Sequence, residues 1–183
     1  GYLTYDTCGG IDPRVIVSKR VLVGEKAVPG VIGAKPIHLQ SKSEFESVMK
    51  HDSLVIDIGA KDKADAERQV NKGDFVSFDS EWVEFGAGMV KAKALDDRSG
   101  CAILMAILEN TYPYDLTCAF TVQEEVGTRG AQTVMERIEN VTCAIVLEGT
   151  TANDLGDVPE HLRVCAPGKG VAISMMDNSS LSH

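Results

Sequence analysis

The hydrophobic residues of this chain change their spacing near residue 94, and that change limits the folds available to it. Before this point, apolar residues recur at every second position in short runs that end at glycine, as Val21 and Val23 do before Gly24. A period of two is typical of β-strands that bury one face. After this point, helical spacing alternates with short apolar runs, which indicates an α/β layer.

We therefore predict an α/β protein with two domains, a β-rich domain over residues 1–90 and an α/β domain over residues 91–183. The first domain reads as a small barrel or sandwich of short strands. One of its strands, Leu54 to Ile58, ends before Gly59, and another, Val28 to Ile32, is broken by Pro29-Gly30. Two short helices are expected there, one opened by a capping box of Ser43 and Glu46 and one over Lys61 to Asn71.

The second domain is expected to contain two helices and three strands. Its first helix places Cys101, Leu104, Met105 and Leu108 on one face, and its second begins at Thr128 and buries Ala131, Val134, Met135 and Ile138. The strands are predicted over Leu116 to Val122, Cys143 to Leu147 and Gly170 to Met176.

Composition excludes several classes of protein. The 18 basic residues against 27 acidic ones give a net charge of −9, and no basic run is present, so nucleic acid is an unsuitable partner. No apolar stretch approaches the roughly 18 residues of a membrane span, and the first residues do not resemble a secretion signal. Five scattered cysteines argue against a disulfide framework and predict a cytoplasmic protein whose thiols are reduced and mostly buried.

Three acidic features recur where a predicted strand ends or the next helix begins: Asp96-Asp97, Glu124-Glu125 and Glu148. In an open α/β sheet, the carboxyl ends of the strands border the ligand crevice, so these side chains are expected to converge there. Converging carboxylates repel one another unless a cation neutralises them. The sequence therefore indicates a divalent metal site.

Two simpler interpretations stay open at this point. Asp96-Asp97 stands before an amphipathic helix, where an acidic pair often serves only as a cap. Glu124-Glu125 is compatible with an exposed turn at the end of an apolar strand. If the alternation of that strand continues through the pair, the two glutamates point to opposite sides, and one can bind metal while the other addresses a water.

Three motifs in this order and spacing resemble the tetrahedral (glutamyl/leucyl) aminopeptidase family of dinuclear metallopeptidases, whose members are sometimes labelled endoglucanases. They are Ala94-Leu95-Asp96-Asp97-Arg98-Ser99-Gly100, Gln123-Glu124-Glu125-Val126-Gly127-Thr128-Arg129-Gly130-Ala131 and Val146-Leu147-Glu148-Gly149-Thr150. Gly9 to Val15 and Val31 to Leu39 are similar to the family's dimerisation domain. The resemblance covers essentially the whole chain.

The resemblance implies a three-layer α/β/α catalytic domain, present only in its central part, with an inserted PDZ-like β-barrel for dimerisation. It implies that Asp96 bridges two zinc or cobalt ions, with Asp97 behind it across a cis peptide bond. Glu125 and Glu148 are then metal ligands, although the family more often has aspartate where Glu148 stands. Glu124 is the general base, which takes a proton from the attacking water and returns it to the departing amine.

The family completes its site with two histidines whose motifs this chain lacks. None of His38, His51, His161 and His183 lies in a matching context, and each is interpreted as a surface or hydrogen-bonding histidine. We therefore expect an internal fragment with three of five protein ligands, inactive alone. The family also implies peptide substrates, a dimer through the β-rich domain and a tetrahedral dodecamer.

Three other interpretations of the sequence stay open. The chain could be an oligomerisation module without chemistry, which metal titration would distinguish. It could be an endoglucanase, since two carboxylates support glycoside hydrolysis; the adjacent pairs fit metal chelation better. A related enzyme that cleaves carboxy-terminal residues or removes acyl groups would share the metal chemistry, but the motifs favour the aminopeptidase.

Overall fold

The computed structural model of this protein describes residues 1–174, and its largest element is a five-stranded antiparallel sheet. Its strands lie in the spatial order β1-β4-β3-β2-β5, with β1 and β5 at the edges. The bounds are β1 Tyr2–Leu3, β2 Arg20–Val23, β3 Val28–Ala34, β4 Leu54–Asp57 and β5 Val76–Phe78. No ladder joins the two edges in the described chain, so these strands form an open sheet and do not close the expected barrel.

The alternating residues of this sheet form the hydrophobic core, as the sequence predicts. Val21 and Ile56 are each 1% exposed, and their neighbours along each strand are partly or fully accessible. The core residues under 9% exposure that pack together are Ile16, Val21, Val23, Ile32, Leu54, Ile56 and Val70. All of them lie in the first half of the chain, where the described structure buries its apolar side chains.

The expected break in β3 at Pro29-Gly30 is wrong, because the strand runs through both residues. Pro29 pairs with Leu22 of β2, while β4 pairs with β3 only from Val31 onward. Proline has no N–H to donate to a second strand. At Pro29 only β2 pairs with β3, so this missing donor is tolerated. Gly30 is needed for space: a Cβ there would lie 2.9 Å from Ile56 Cγ2 and 3.1 Å from the Asp57 carbonyl oxygen.

We expect Gly30→Val to destabilise this sheet by about 1–3 kcal/mol, because the added side chain overpacks the contact with Ile56. Gly33→Val is the matched control on the same strand. A Cβ at Gly33 meets only Val55, at 3.9 Å, and valine suits a strand. Urea unfolding of both variants measures the difference; equal midpoints would show that Gly30 is not sterically required.

Three short helices accompany the sheet: α1 Pro13–Ile16, α2 Lys42–Glu46 and α3 Lys63–Gln69. The capping box of α2 is formed by Ser41 and Glu44, so its predicted position at Ser43 and Glu46 is wrong by two residues. Ser41 is the residue with extended backbone, which lets its hydroxyl accept from the Glu44 N–H at 3.3 Å. For α3, Asp62 accepts from Asp65 N at 2.8 Å and sets a start two residues later than expected.

An exposed hairpin follows the sheet, with strands β6 Val83–Phe85 and β7 Met89–Lys91. Its turn places Gly86 and Gly88 at positive φ, where glycine is favoured. Two helices follow in the chain, α4 Leu95–Leu108 and α5 Arg129–Val134. Both confirm predicted helices, although α5 ends before Met135 and Ile138, and Met105 and Leu108 of α4 stay more than half exposed.

The predicted strands over residues 116–122 and 143–147 are not formed. A strand needs a neighbour for its backbone groups, and no described segment forms a ladder with either. Ile145 and Val146 are 82% and 84% exposed, so burial does not stabilise that segment either. Residues 170–174, the first part of the strand predicted over Gly170 to Met176, also form no strand. The rest of that predicted strand lies outside the described residues. The mixed α/β class is confirmed, whereas the three-layer sandwich stays a prediction.

The described residues divide into two compact units. One contains Gly1–Lys93 and Ala119–Thr142, and the other contains Ala94–Cys118 and the chain from Cys143 onward. The assignment of residues 1–90 to a dimerisation domain and of 91–183 to a catalytic domain stays a prediction. No helix in the described range could cross a membrane.

The cysteines are free thiols, as expected, but the prediction that most are buried is wrong. Cys8, Cys101 and Cys143 are exposed, and Cys118 and Cys165 are half-buried. The reason is their position, because none of them lies on the strands that enclose the core.

Candidate active site

Asp97 begins the regular part of α4, as the capping interpretation predicts. Its Oδ1 accepts from the Gly100 backbone N–H at 2.9 Å and from the Ser99 hydroxyl at 3.2 Å. A Cβ at Gly100 would collide with the Asp97 carboxylate, so glycine leaves room for this contact. The carboxylate of Asp97 is therefore fixed in orientation at the helix N-terminus.

Asp96 has a different role from its neighbour. The peptide bond between Asp96 and Asp97 is cis, as the resemblance predicts. Asp96 has non-helical backbone angles, with φ −85° and ψ 112°, and its carboxylate lies close to that of Glu148. The sequence thus encodes a cap at Asp97 and a separate contact through Asp96.

Asp96, Asp97 and Glu148 form a three-carboxylate cluster. One oxygen from each residue lies within 4.8 Å of the oxygens of the other two. Burial raises the pKa of the Glu148 carboxyl, the Gly149 N–H at 2.9 Å lowers it in part, and the hydrogen bond with Asp96 and the charges of Asp97 and Asp96 raise it. Negative charge is therefore concentrated at this cluster.

The cluster fits a divalent cation. Carboxylate oxygens bind zinc as well as harder ions such as magnesium. Three carboxylates close together therefore offer several oxygen ligands to one cation. Burial is the main reason that the pKa of Glu148 is raised, and a cation would offset the additional repulsion from Asp97 and Asp96. The sequence predicts that three acidic features converge, and the geometry supports this for Asp96-Asp97 and Glu148. Glu124 and Glu125 are not members of this cluster in the described structure.

Glu124 and Glu125 lie together in the loop that precedes α5, and both are exposed. The loop is closed by its own backbone: the Glu124 carbonyl accepts from Gly127 N at 3.0 Å and from Thr128 N at 2.8 Å. Gly130 N donates to the Val122 carbonyl at 3.0 Å. The exposed-turn interpretation is therefore confirmed for the backbone, and it leaves both carboxylates accessible.

Two residues of this loop explain its shape. A Cβ at Gly130 would collide with the Val122 backbone, so only glycine permits the closure. Thr128 stands directly before α5 as predicted, but its side chain does not cap the helix. Its φ of 51° is left-handed and differs from the extended backbone that a capping threonine adopts.

A model of the M42 glutamyl aminopeptidase family matches residues 1–183. The chain belongs to this family. Two curated proteins whose names describe them as putative aminopeptidases are similar to this M42 chain. One, from Acetivibrio thermocellus, is 34% identical over 100% of this chain and 53% of its own length. The other, FrvX of Escherichia coli (strain K12), is 32% identical over 97% of this chain and 51% of its own length. This M42 chain spans about half the length of these relatives.

Solved structures are similar to the M42 chain in backbone as well. An aminopeptidase from the archaeon Desulfurococcus kamchatkensis has a TM-score of 0.82 at 32% identity, over 93% of this chain and 47% of that one. The Pyrococcus horikoshii TET1 peptidase has a TM-score of 0.61 at 38% identity, over 73% of this chain and 42% of that one. It is described as able to assemble into a tetrahedron or a large octahedral shell. A Thermotoga maritima protein named endoglucanase has a TM-score of 0.67 at 34% identity, over 93% of this chain and 52% of that one.

The histidines of the M42 chain have other environments, as the sequence predicts. His51 bonds to Tyr5 and to the Ile11 carbonyl. His38 and His161 lie exposed on the short 3₁₀ helices Ile37–Leu39 and Glu160–Leu162. His183 lies outside the described residues.

Sequence reasoning missed the residues that organise the chain after Glu148. Asn153 Oδ1 accepts from Val164 N at 2.9 Å and Cys165 N at 3.1 Å, and its Nδ2 donates to the Leu162 carbonyl at 2.8 Å. These partners are nine to twelve residues away, so no local pattern signals them. A single asparagine therefore fixes the loop of the M42 chain that follows the cluster.

Proposed function

We propose that the complete protein is a metal-dependent aminopeptidase that removes residues from the amino end of peptides. The observation that carries the proposal is the three-carboxylate cluster in a chain that belongs to an aminopeptidase family. The proposal concerns the complete protein, because this chain spans about half of the relatives it matches.

In the proposed site, Asp96, Glu125 and Glu148 would hold two divalent ions, zinc or cobalt, with Asp96 contributing to the binding of both. Asp97 supports Asp96 and is itself held by Gly100 N and Ser99. When bound, such ions polarise the substrate carbonyl and make a water molecule acidic. Asp96 and Glu148 already lie within 4.8 Å of each other through their carboxylate oxygens, so one cation could contact both.

Glu124 is the proposed general base. Its carboxylate is exposed on a loop whose backbone is closed by hydrogen bonds, so an accessible group is held on a defined support. A Glu124 oxygen takes a proton from the attacking water and delivers it to the departing amine. Glu125 follows it directly, so one short loop supplies both a base and a ligand.

We propose peptide substrates and a homo-oligomeric, cytoplasmic assembly for the complete protein. The resemblance of the first part to a dimerisation domain supports a dimer. The described tetrahedron of the Pyrococcus horikoshii TET1 peptidase, and a second related structure described as a dodecamer, support a tetrahedral shell of twelve subunits. The exposed hairpin over β6 and β7 offers apolar side chains, among them Phe85 at 54% exposure, that an interface would cover.

The proposal predicts that the complete protein shortens a peptide with a free amino end one residue at a time, leaves the N-acetylated peptide intact and does not depolymerise cellulose. A chelator should abolish the peptidase reaction, and zinc or cobalt should restore it. Mass spectrometry of both peptides and a reducing-sugar assay measure these outcomes. Cleavage of cellulose, or equal cleavage of the acetylated peptide, would contradict the proposal.

A further inference from the structure

The loop that carries Glu125 is in close contact with a glycine far away in the sequence. A Cβ built at Gly9 would lie 3.2 Å from the Glu125 carbonyl oxygen and 3.6 Å from Glu125 Cβ. Gly9 also has a φ of 82°, which side chains rarely adopt. Both residues belong to the same compact unit. Two independent features therefore favour glycine at position 9, its positive φ and the lack of space for a side chain. The space is limited by Glu125, a proposed metal ligand.

The chain that follows Gly9 is held by hydrogen bonds at Ile11. His51 Nε2 donates to the Ile11 carbonyl at 2.8 Å, and the Tyr5 hydroxyl and His51 Nδ1 form a hydrogen bond of 3.1 Å. A carbonyl only accepts, so His51 Nε2 carries a proton and donates it. Tyr5, His51 and Ile11 are thus linked by hydrogen bonds.

Asp12 fixes the same stretch from the next residue. It caps α1 by accepting from Arg14 N at 2.9 Å, and it accepts from Arg14 Nε at the same distance. Ile11 and Asp12, which follow Gly9 by two and three residues, thus have defined hydrogen-bond partners. The chain that leaves Gly9 is therefore held within two residues of it.

We propose that Gly9 is a positioning residue that supports the backbone of Glu125 and so sets the place of this ligand and of the neighbouring base Glu124. The inference rests on the proposed function for the roles of the two glutamates. The contact itself is a property of the fold. A side chain at position 9 would have to displace the Glu125 backbone or move away from it.

Three alanine substitutions in the complete protein separate this role from general strain. Gly9→Ala adds both the positive-φ strain and the contact with Glu125. Gly59→Ala adds the strain alone, since Gly59 has a φ of 74° and no atom within 4 Å of its Cβ. Gly10→Ala adds neither, because its Cβ meets nothing within 4 Å and its φ is not positive.

Two measurements are made on each variant. The first is hydrogen exchange of the amides of Gly127 and Thr128, which donate to the Glu124 carbonyl. The second is the dissociation constant for zinc, by competition with a chromophoric chelator. We expect Gly9→Ala to exchange these amides at least about 10-fold faster and to bind zinc about 10-fold more weakly, the loss typical of residues that orient a ligand. Both control variants should stay within about 2-fold.

The exchange measurement does not depend on the proposed function. If Gly9→Ala exchanges the loop amides no faster than Gly59→Ala, the positioning role is wrong, whatever the activity. If those amides exchange faster but zinc affinity matches that of the controls, Gly9 supports the loop without positioning a ligand, and the proposal also fails. If the unsubstituted protein removes no amino-terminal residue, only the proposed aminopeptidase is contradicted, because exchange and zinc affinity still test Gly9.

Discussion

Glu124→Gln in the complete protein is expected to lower kcat for an aminoacyl-anilide by about 10²–10⁴-fold while leaving KM nearly unchanged. Glutamine keeps the size of the side chain but cannot take a proton from water. Glu124 is exposed, and its backbone carbonyl, not its side chain, closes the loop through Gly127 and Thr128. The substitution should therefore remove chemistry without changing the local fold.

Glu139→Gln is the matched control, because Glu139 is an exposed glutamate in the same compact unit and has no proposed role in the site. Steady-state kinetics of both variants should show the loss only at position 124. A Glu124→Gln enzyme with a kcat within about 3-fold of the parent would remove this residue from the mechanism, since general-base catalysis contributes far more.

The second large effect is expected for Asp96→Asn, which should weaken zinc binding by more than about 100-fold. Residues that only orient ligands already contribute about 10–100-fold, and Asp96 is proposed as the ligand shared by both ions. The metal-free variant should be at least as stable as the parent. Removing one negative charge relieves the repulsion that helps raise the pKa of Glu148.

Asp157→Asn serves as the control, an exposed aspartate of the same unit that lies outside the carboxylate cluster. Competition with a chelator measures affinity, and thermal unfolding without metal measures stability. Unchanged zinc affinity in Asp96→Asn would show that the cluster is only a helix cap with an acidic neighbour.

The sequence predicts the strands around the core well because their signal is local. Val21, Val23, Leu54 and Ile56 occupy every second position of their strands, and the same residues are buried in the sheet. The predicted strand over 143–147 has a similar apolar run but no ladder partner in the described chain. Apolar composition shows that a segment is able to form a strand, whereas the neighbour that completes it is a property of the whole fold.

Helix starts show the same limit at smaller scale. Ser41 and Ser43 are both followed three residues later by glutamate, so the sequence contains two possible capping boxes for one helix. The extended backbone at Ser41 decides between them. Sequence reasoning recognises the motif but does not determine which copy has the required backbone conformation.

At the site, sequence reasoning predicts that Asp96-Asp97 and Glu148 lie together but not how they are held. The convergence of Asp96 with Glu148 follows from where strands and helices were expected to end, although the strand before Glu148 is not formed. The sequence does not show that Asp97 caps the helix while Asp96 lies beside Glu148; this difference follows from the three-dimensional structure. The approach of Gly9 to Glu125 joins residues more than a hundred positions apart and leaves no local signal.

The most direct test of the account is the zinc content of the Glu124→Gln and Asp96→Asn proteins, measured side by side after dialysis and compared with the parent. We predict that Glu124→Gln keeps the parent's zinc content without its activity, and that Asp96→Asn loses both. Equal zinc content in all three proteins, or a loss of zinc from Glu124→Gln alone, would contradict the assignment of Asp96 as ligand and Glu124 as base.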